Sequence, residues 1–177
     1  MLSFQLDDCP LGVVLLAELA AKPGQLVAHR PGDLLIEVTA WSATLDPDAD
    51  PALALSADPR SLRVLEGTGG MQALDADDRA GIDQTIDDEV LKGAPIEFRS
   101  TSFGGVPGRV EGELELAGAR GPVGFDLAAG ENGGITGRAT VRQTDWGMKP
   151  YTALFGTLKV ADHVDVAIDA TLPKEHA

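Results

Sequence analysis

A chain of 177 residues, 44% of them hydrophobic and 24% charged, is long enough to bury a sizeable core as one domain spanning residues 1–177. Its formal net charge of −14 argues against nucleic acid and anionic membrane surfaces as partners, because both require a basic surface. A single cysteine, Cys9, excludes an intrachain disulfide and fits a reducing compartment.

The apolar run at residues 11–17 lacks the features of a secretory signal. Asp7 and Asp8 stand where a signal peptide carries basic residues, and Glu18 interrupts the run. The run is also too short to span a bilayer. We therefore expect a cytoplasmic protein without stable membrane insertion, with a degenerate signal peptide as the weaker alternative. Residues 10–30 are predicted to form one strand or a strand pair broken near Pro23.

Most of the chain alternates apolar and polar residues with period two, which predicts strands buried on one face. In residues 34–45, Ile36, Val38 and Ala40 share the inner face, and Trp41 falls on the outer face. Further strands are predicted at residues 52–57, 61–66, 95–103, 109–117, 123–127, 135–143 and 164–169. Clusters of Gly, Pro and Asp separate them, as expected for turns.

One segment has a helical period instead. Ile82, Ile86 and Val90 are spaced by four and define one face of a helix. Asp75, with Asp78 three residues later, suits the start of a helix, and Lys92 with the following glycine suits its end. The pattern predicts one helix over residues 75–92.

Sequential, hairpin-linked strands with polar outer faces favour a mainly β protein, an antiparallel up-and-down barrel of about eight strands with this helix inserted. Such a barrel is either filled by side chains or holds one small ligand. The inward-facing sets lack polar clusters, so a ligand would be mostly apolar. The predicted ligand-binding residues are Val38, Phe98, Leu114, Phe125, Val141 and Val166, with Trp146 and Phe155 near an opening.

Trp146 has two candidate positions. It can plug one end of the barrel with its indole N–H bonded to a backbone carbonyl, and it can line the ligand mouth; the two positions are not exclusive. The apolar segment 150–155 is likewise either a lid or a simple cover of the barrel end.

Two loops resemble known ion or nucleotide sites but lack key residues. Asp46, Asp48 and Asp50 have the alternate spacing of a calcium loop, yet Pro51 occupies the position of the required glycine and Ala57 that of the final glutamate. The glycine-rich loop at residues 67–70 lacks the Lys and Ser or Thr of a phosphate loop. Polar or flexible turns are the better interpretation of both.

The histidines offer no compact metal motif. His29, His163 and His176 form no pair spaced by four residues, so a metal site would need convergence of distant positions. We therefore predict no catalytic residue and no metal ligand. A metal-dependent enzyme using His29 or His163 is the weakest of the functional hypotheses.

Four segments, in this order, resemble the YceI-like family over roughly residues 26–172. They are residues 95–102 (PIEFRSTS), 110–118 with 122–123 (VEGELELAG and PV), 143–148 (QTDWGM) and 162–169 (DHVDVAID). The resemblance implies a lipocalin-like barrel that holds a long apolar chain, such as a polyisoprenoid, an isoprenoid quinone or a fatty-acyl derivative. It implies a binding protein rather than an enzyme, no cofactor besides such a lipid, and a homodimer in some members.

The chain departs from the family pattern in three places. Many members carry a signal peptide and are periplasmic. Many have a histidine just before the strand that starts here at Leu34, where this chain has residues 30–33 (RPGD). The segment 60–93, with its acidic helix, is also unlike the common pattern.

Two hypotheses of different class therefore stand beside the metal enzyme. The first is a carrier of an apolar ligand, and the second is a structural or stress-related interaction protein with a filled barrel. A cavity of about 300 Å³ or more would favour the carrier, because ligand pockets have that size.

Overall fold

The computed structural model describes residues 4–5, 13–21, 32–67, 74–149, 152–153 and 158–171. The first strands are β1 Phe4–Gln5, β2 Val13–Ala21, β3 Gly32–Val38, β4 Trp41–Leu45, β5 Leu53–Ala57 and β6 Leu62–Gly67. After them come helix α1 Ala76–Thr85 and a π-helical turn, Ile86–Leu91. The remaining strands are β7 Ile96–Phe103, β8 Gly108–Leu116, β9 Ala119–Ala129, β10 Gly134–Arg142, β11 Thr152–Ala153 and β12 Leu158–Thr171.

The strands pair antiparallel in one sheet. Its order is β1-β4-β5-β7-β8-β9-β10-β12-β2-β3-β6, and β11 adds to β12. The two ends of this path belong to one long hairpin, because β3 continues into β4 and β5 continues into β6. At the bend, the Thr39 amide donates to the Ser61 carbonyl (3.0 Å) and the Asp58 amide donates to the Ala40 carbonyl (2.9 Å). These bonds join the β3–β6 ladder to the β4–β5 ladder and close the sheet on itself.

Counting each bent strand once gives the eight staves of an up-and-down barrel. They are β2, β3–β4, β5–β6, β7, β8, β9, β10 and β12, with the short β1 and β11 as additions. The predicted fold class is confirmed. Strand β2 also confirms a strand in the N-terminal apolar region, and it pairs with both β12 and β3.

The bend between β3 and β4 changes which residues face inward. Val38 is buried, Thr39 and Ala40 are both exposed, and inward positions resume at Trp41 and Ala43. The predictions that Ala40 faces inward and Trp41 outward are therefore wrong. Two successive outward residues shift the alternation by one, as an extra residue in a strand does.

The helix begins as predicted. The Asp75 carboxylate accepts from the Asp78 amide (2.8 Å), and the Asp78 carboxylate accepts from the Asp75 amide (3.2 Å), which completes a capping box. The helix then widens into the π-helical turn, and Lys92 ends it in the left-handed conformation at φ 55°. The predicted range 75–92 is confirmed.

The helix lies along an edge of the sheet. Strand β6 pairs with β3 on one side, and on the other its Val64 amide donates to the Asp83 carboxylate at 2.8 Å. Arg79 donates to the Leu65 carbonyl of the same strand at 3.2 Å. Ile82 and Ile86 pack on a buried cluster that includes Val64. The helix thus completes the barrel wall on the side of β6 where the described part of the chain provides no neighbouring strand.

The described part of the chain contains no helix that is both long and apolar enough to cross a membrane.

Candidate functional site

The barrel encloses a cavity of about 730 Å³. Inward side chains from β3 to β12 form its wall, and α1 with the π-helical turn completes that wall beside β6. The volume exceeds the roughly 300 Å³ at which ligand pockets begin. The barrel is therefore hollow rather than filled by side chains.

Six of the eight predicted site residues line this cavity. They come from six different staves and share an inward orientation: Val38, Phe98, Leu114, Phe125, Val141 and Val166. The period-two alternation was sufficient to place them, because no bend intervenes in their strands at these positions.

Two aromatic rings occupy the middle of the wall. Phe98 on β7 and Phe125 on β9 are both buried, with ring centroids 5.3 Å apart and planes inclined by 55°. A Cβ added to Gly112 on the intervening β8 would lie 2.6 Å from the Phe98 ring. Glycine at that position therefore lets the ring lie against the sheet.

The polar residues of the lining gather at one end. Among the described residues, and apart from the Trp41 indole, they are Asp77, Asp78, Thr85 and Gln143. The Thr85 hydroxyl donates to the Gly81 carbonyl (2.9 Å), and the Gln143 amide donates to the Ala161 carbonyl (2.8 Å). These two side chains already bond to backbone, which leaves the two carboxylates as the charged groups of the lining.

We call the end of the cavity that carries these polar residues the helix end. The strand registers bring the β8–β9 hairpin, the last residue of β10 and the start of the helix to the same end. The opposite end is lined by the apolar residues Leu45, Leu53, Leu127, Ile135, Ile168 and Ala170. The cavity is therefore polar at one end and apolar throughout the rest.

Trp146 lies away from the cavity lining. It is buried, and its indole donates to the Leu114 carbonyl at 2.9 Å. A Cβ added to Gly121 on β9 would lie 3.1 Å from the indole ring. The structure thus shows the plug position, and Trp146 is not among the residues that line the cavity. Its contact with a ligand at a barrel opening stays a prediction. A short 3₁₀ turn after β10 directs the ring onto the β8–β9 pair.

The turn that carries Trp146 is tied to β12. The Asp162 carboxylate accepts from the Thr144 hydroxyl (2.7 Å) and from the Thr144 amide (2.9 Å). The hydroxyl hydrogen bond lowers the pKa of Asp162 below its usual value, more than the loss of solvation raises it. A charged Asp162 therefore holds the turn in place.

Several lining residues were not predicted from sequence. Trp41 lines the cavity because of the bend before β4, which alternation alone does not reveal. Ile82, Ile86 and Val90 of the helical segment also line it. Their spacing of four was visible, and it indicated a buried face without indicating what that face covers.

Some of the predicted site residues lie outside the described residues, and the described residues form no metal site. Phe155 and His29 are outside the described residues, as is most of the segment 150–155. Within the described part of the chain, no group of three or more His, Cys, Asp or Glu side chains could hold a metal ion. In the loop compared with a calcium site, the Asp46 carboxylate accepts from the Asp48 amide at 3.1 Å, as in a polar turn.

Solved structures share the fold at low sequence identity. The crystal structure of Burkholderia cenocepacia BcnA superposes with a TM-score of 0.59 at 16% identity, covering 94% of this chain and 100% of that one. Two cysteine variants of the CJ YceI protein, one described with a monobromobimane guest and one as made for nanotechnology applications, give TM-scores of 0.53 and 0.54. Each is 17% identical and covers 88% of this chain and 91% of the other.

No curated protein sequence matches the chain. The family model of the YceI-like domain matches residues 37–172, which make up most of this chain. That family is one of binding proteins with a fold known to bind hydrophobic ligands. On this match, together with the barrel and its apolar cavity, the chain belongs to the YceI-like family.

Proposed function

We propose that this protein binds one long apolar chain, such as a polyisoprenoid, an isoprenoid quinone or a fatty-acyl derivative, without chemically changing it. The observation that carries the proposal is the cavity of about 730 Å³ with an almost wholly apolar lining. Burial of a methylene group is favourable by about 0.8 kcal/mol, so a long chain gains affinity with each carbon that enters.

The cavity also limits the length of the chain. Its volume equals roughly 24 water molecules at about 30 Å³ each. A methylene group is similar in size to a water molecule, so a chain of on the order of 20 carbons would fill the space. The position of the polar groups orients it, with the head at the helix end and the tail toward Leu45 and Ile168.

A first experiment is mass spectrometry of organic extracts from the purified protein. We expect a stoichiometric lipid with a long apolar chain. Absence of any copurified lipid, together with no displacement of a neutral fluorescent probe by added long-chain alcohols, would remove the proposal.

A matched pair of variants tests where the chain binds. Ala139 on β10 lines the cavity, whereas Ala128 on β9 is exposed. Ala139→Leu adds three carbons to the cavity, and each methylene that it excludes should weaken binding of a filling chain about fourfold. Ala128→Leu adds the same group outside and should leave affinity unchanged. Equal affinities of the two variants would place the ligand elsewhere.

A further inference from the structure

We infer that the helix end of the cavity selects ligands by the charge of their head group. An amine-headed chain should bind more tightly than an alcohol-headed chain of equal length, and a carboxylate-headed chain should bind most weakly. The inference rests on the proposed function, because it concerns the head of the chain whose tail fills the cavity.

The first observation is the charge of the lining. Within the described part of the chain, the charged side chains that line the cavity are Asp77 and Asp78, both on the first turn of α1. They lie at the end where the other polar lining residues, Thr85 and Gln143, are bonded to backbone carbonyls. A head group at this end therefore meets two carboxylates.

The second observation is the charge of the helical segment. Residues 75–91 contain seven acidic residues against the single basic residue Arg79, a net charge of −6. Arg79 donates to the Leu65 carbonyl, and the nearby Arg60 pairs with Asp87 at 3.7 Å. Both guanidinium groups thus already have acceptors on the protein.

The helix N-terminus does not reverse this charge. A helix macrodipole places about +0.5 elementary charge at its N-terminus, against three carboxylates in and before the first turn. Two of these carboxylates, Asp75 and Asp78, also accept the exposed amides through the capping box. The field at the helix end of the cavity is therefore negative.

The expected effect follows from screened Coulomb attraction. Two carboxylates about 7 Å from a head group in water should separate an amine from a carboxylate about fivefold in Kd at 0.15 M salt, and about twentyfold at 0.01 M salt. The ratio of the two affinities should therefore rise as salt is lowered, while the affinity of the uncharged alcohol should barely change.

The experiment uses the full chain and three ligands of one length: tetradecylamine, tetradecanol and tetradecanoate, each below its micelle concentration. Displacement of the neutral fluorophore N-phenyl-1-naphthylamine is measured at both salt concentrations. Asp77→Asn should reduce the ratio of amine to carboxylate affinity about twofold at 0.15 M salt and about fourfold at 0.01 M salt. Asp78 is left unchanged, because its carboxylate belongs to the capping box.

Glu113→Gln is the matched control. It removes one negative charge from the outer face of β8, where the side chain is exposed and outside the cavity lining. The affinity ratio should stay as in the unmodified protein. A loss equal to that of Asp77→Asn would indicate a general effect of net charge and overturn the inference.

The two proposals fail in different ways. If the alcohol displaces the probe but the three ligands bind equally, or the carboxylate binds most tightly, the inference is wrong and the proposed function stands. If no ligand displaces the probe, the proposed function fails and the inference fails with it.

Discussion

Trp146→Phe tests the role of the buried indole at the barrel end. Trp146 is 4% exposed, and its N–H donates to the Leu114 carbonyl at 2.9 Å. Phenylalanine removes that donor and covers less of Gly121, the residue beneath the indole ring. The variant therefore loses one hydrogen bond and part of a buried contact.

The two losses are of similar size. A neutral hydrogen bond contributes about 0.5–1.5 kcal/mol net. A smaller buried ring leaves a void that costs about 1 kcal/mol more. We expect Trp146→Phe to lower the free energy of unfolding by about 2 kcal/mol, and Trp146→Ala by about 3–5 kcal/mol.

Urea unfolding followed by far-ultraviolet circular dichroism measures this loss without depending on tryptophan emission. With a denaturant slope of about 2 kcal/mol/M, the midpoint should fall by about 1 M for Trp146→Phe. Trp41→Phe is the control, because Trp41 is only half-buried and faces the cavity. An unchanged midpoint for Trp146→Phe, or a larger shift for Trp41→Phe, would refute the plug.

Three further predictions concern the lining, the glycines and the acid response. Trp146→Phe leaves Trp41 as the one tryptophan, and Trp41→Phe leaves Trp146. A long-chain alcohol should shift the fluorescence emission of Trp41, which lines the cavity, more than that of Trp146, and equal shifts would contradict their placement. In urea unfolding, Gly112→Ala should cost about 1–3 kcal/mol, because its Cβ would clash with the Arg99 carbonyl oxygen. Gly81→Ala should instead gain up to about 1 kcal/mol, because no described atom lies within 4 Å of the added Cβ, and changes of the same sign would refute this. A hydroxyl hydrogen bond lowers the pKa of Asp162, so its stabilising contribution is present above the usual aspartate pKa and is lost as pH falls through the lower folded value. Urea midpoints between about pH 5 and pH 3 should therefore fall more steeply for the unmodified protein than for Asp162→Asn, and parallel curves would exclude that role.

Local patterns predicted the elements of the fold and most of the cavity wall. Alternation placed Val38, Phe98 and Leu114 inward, because a strand has only two faces and one of them was consistently polar. The helix boundaries were also visible, since Asp75 and Lys92 act on the backbone within one turn. These features depend on neighbours close in sequence.

The features that were missed depend on distant neighbours. The inward position of Trp41 follows from a bend that the Ser61 carbonyl stabilises from the 3₁₀ turn between β5 and β6. The plug position of Trp146 was one of the two predicted positions, but the sequence did not identify its partners, Gly121 and the Leu114 carbonyl, which lies 32 residues away. Nothing in residues 74–91 alone indicates that they complete the wall beside β6.

The helix beside β6 also affects how molecules of this protein meet one another. An uncovered strand edge presents amides and carbonyls that can pair with another chain and start aggregation. Here the Asp83 carboxylate accepts from the Val64 amide, and Arg79 donates to the Leu65 carbonyl. The negative charge of the same helix adds repulsion between copies. The helix that lines the cavity thereby also prevents edge-to-edge pairing of β6 with another copy of the chain.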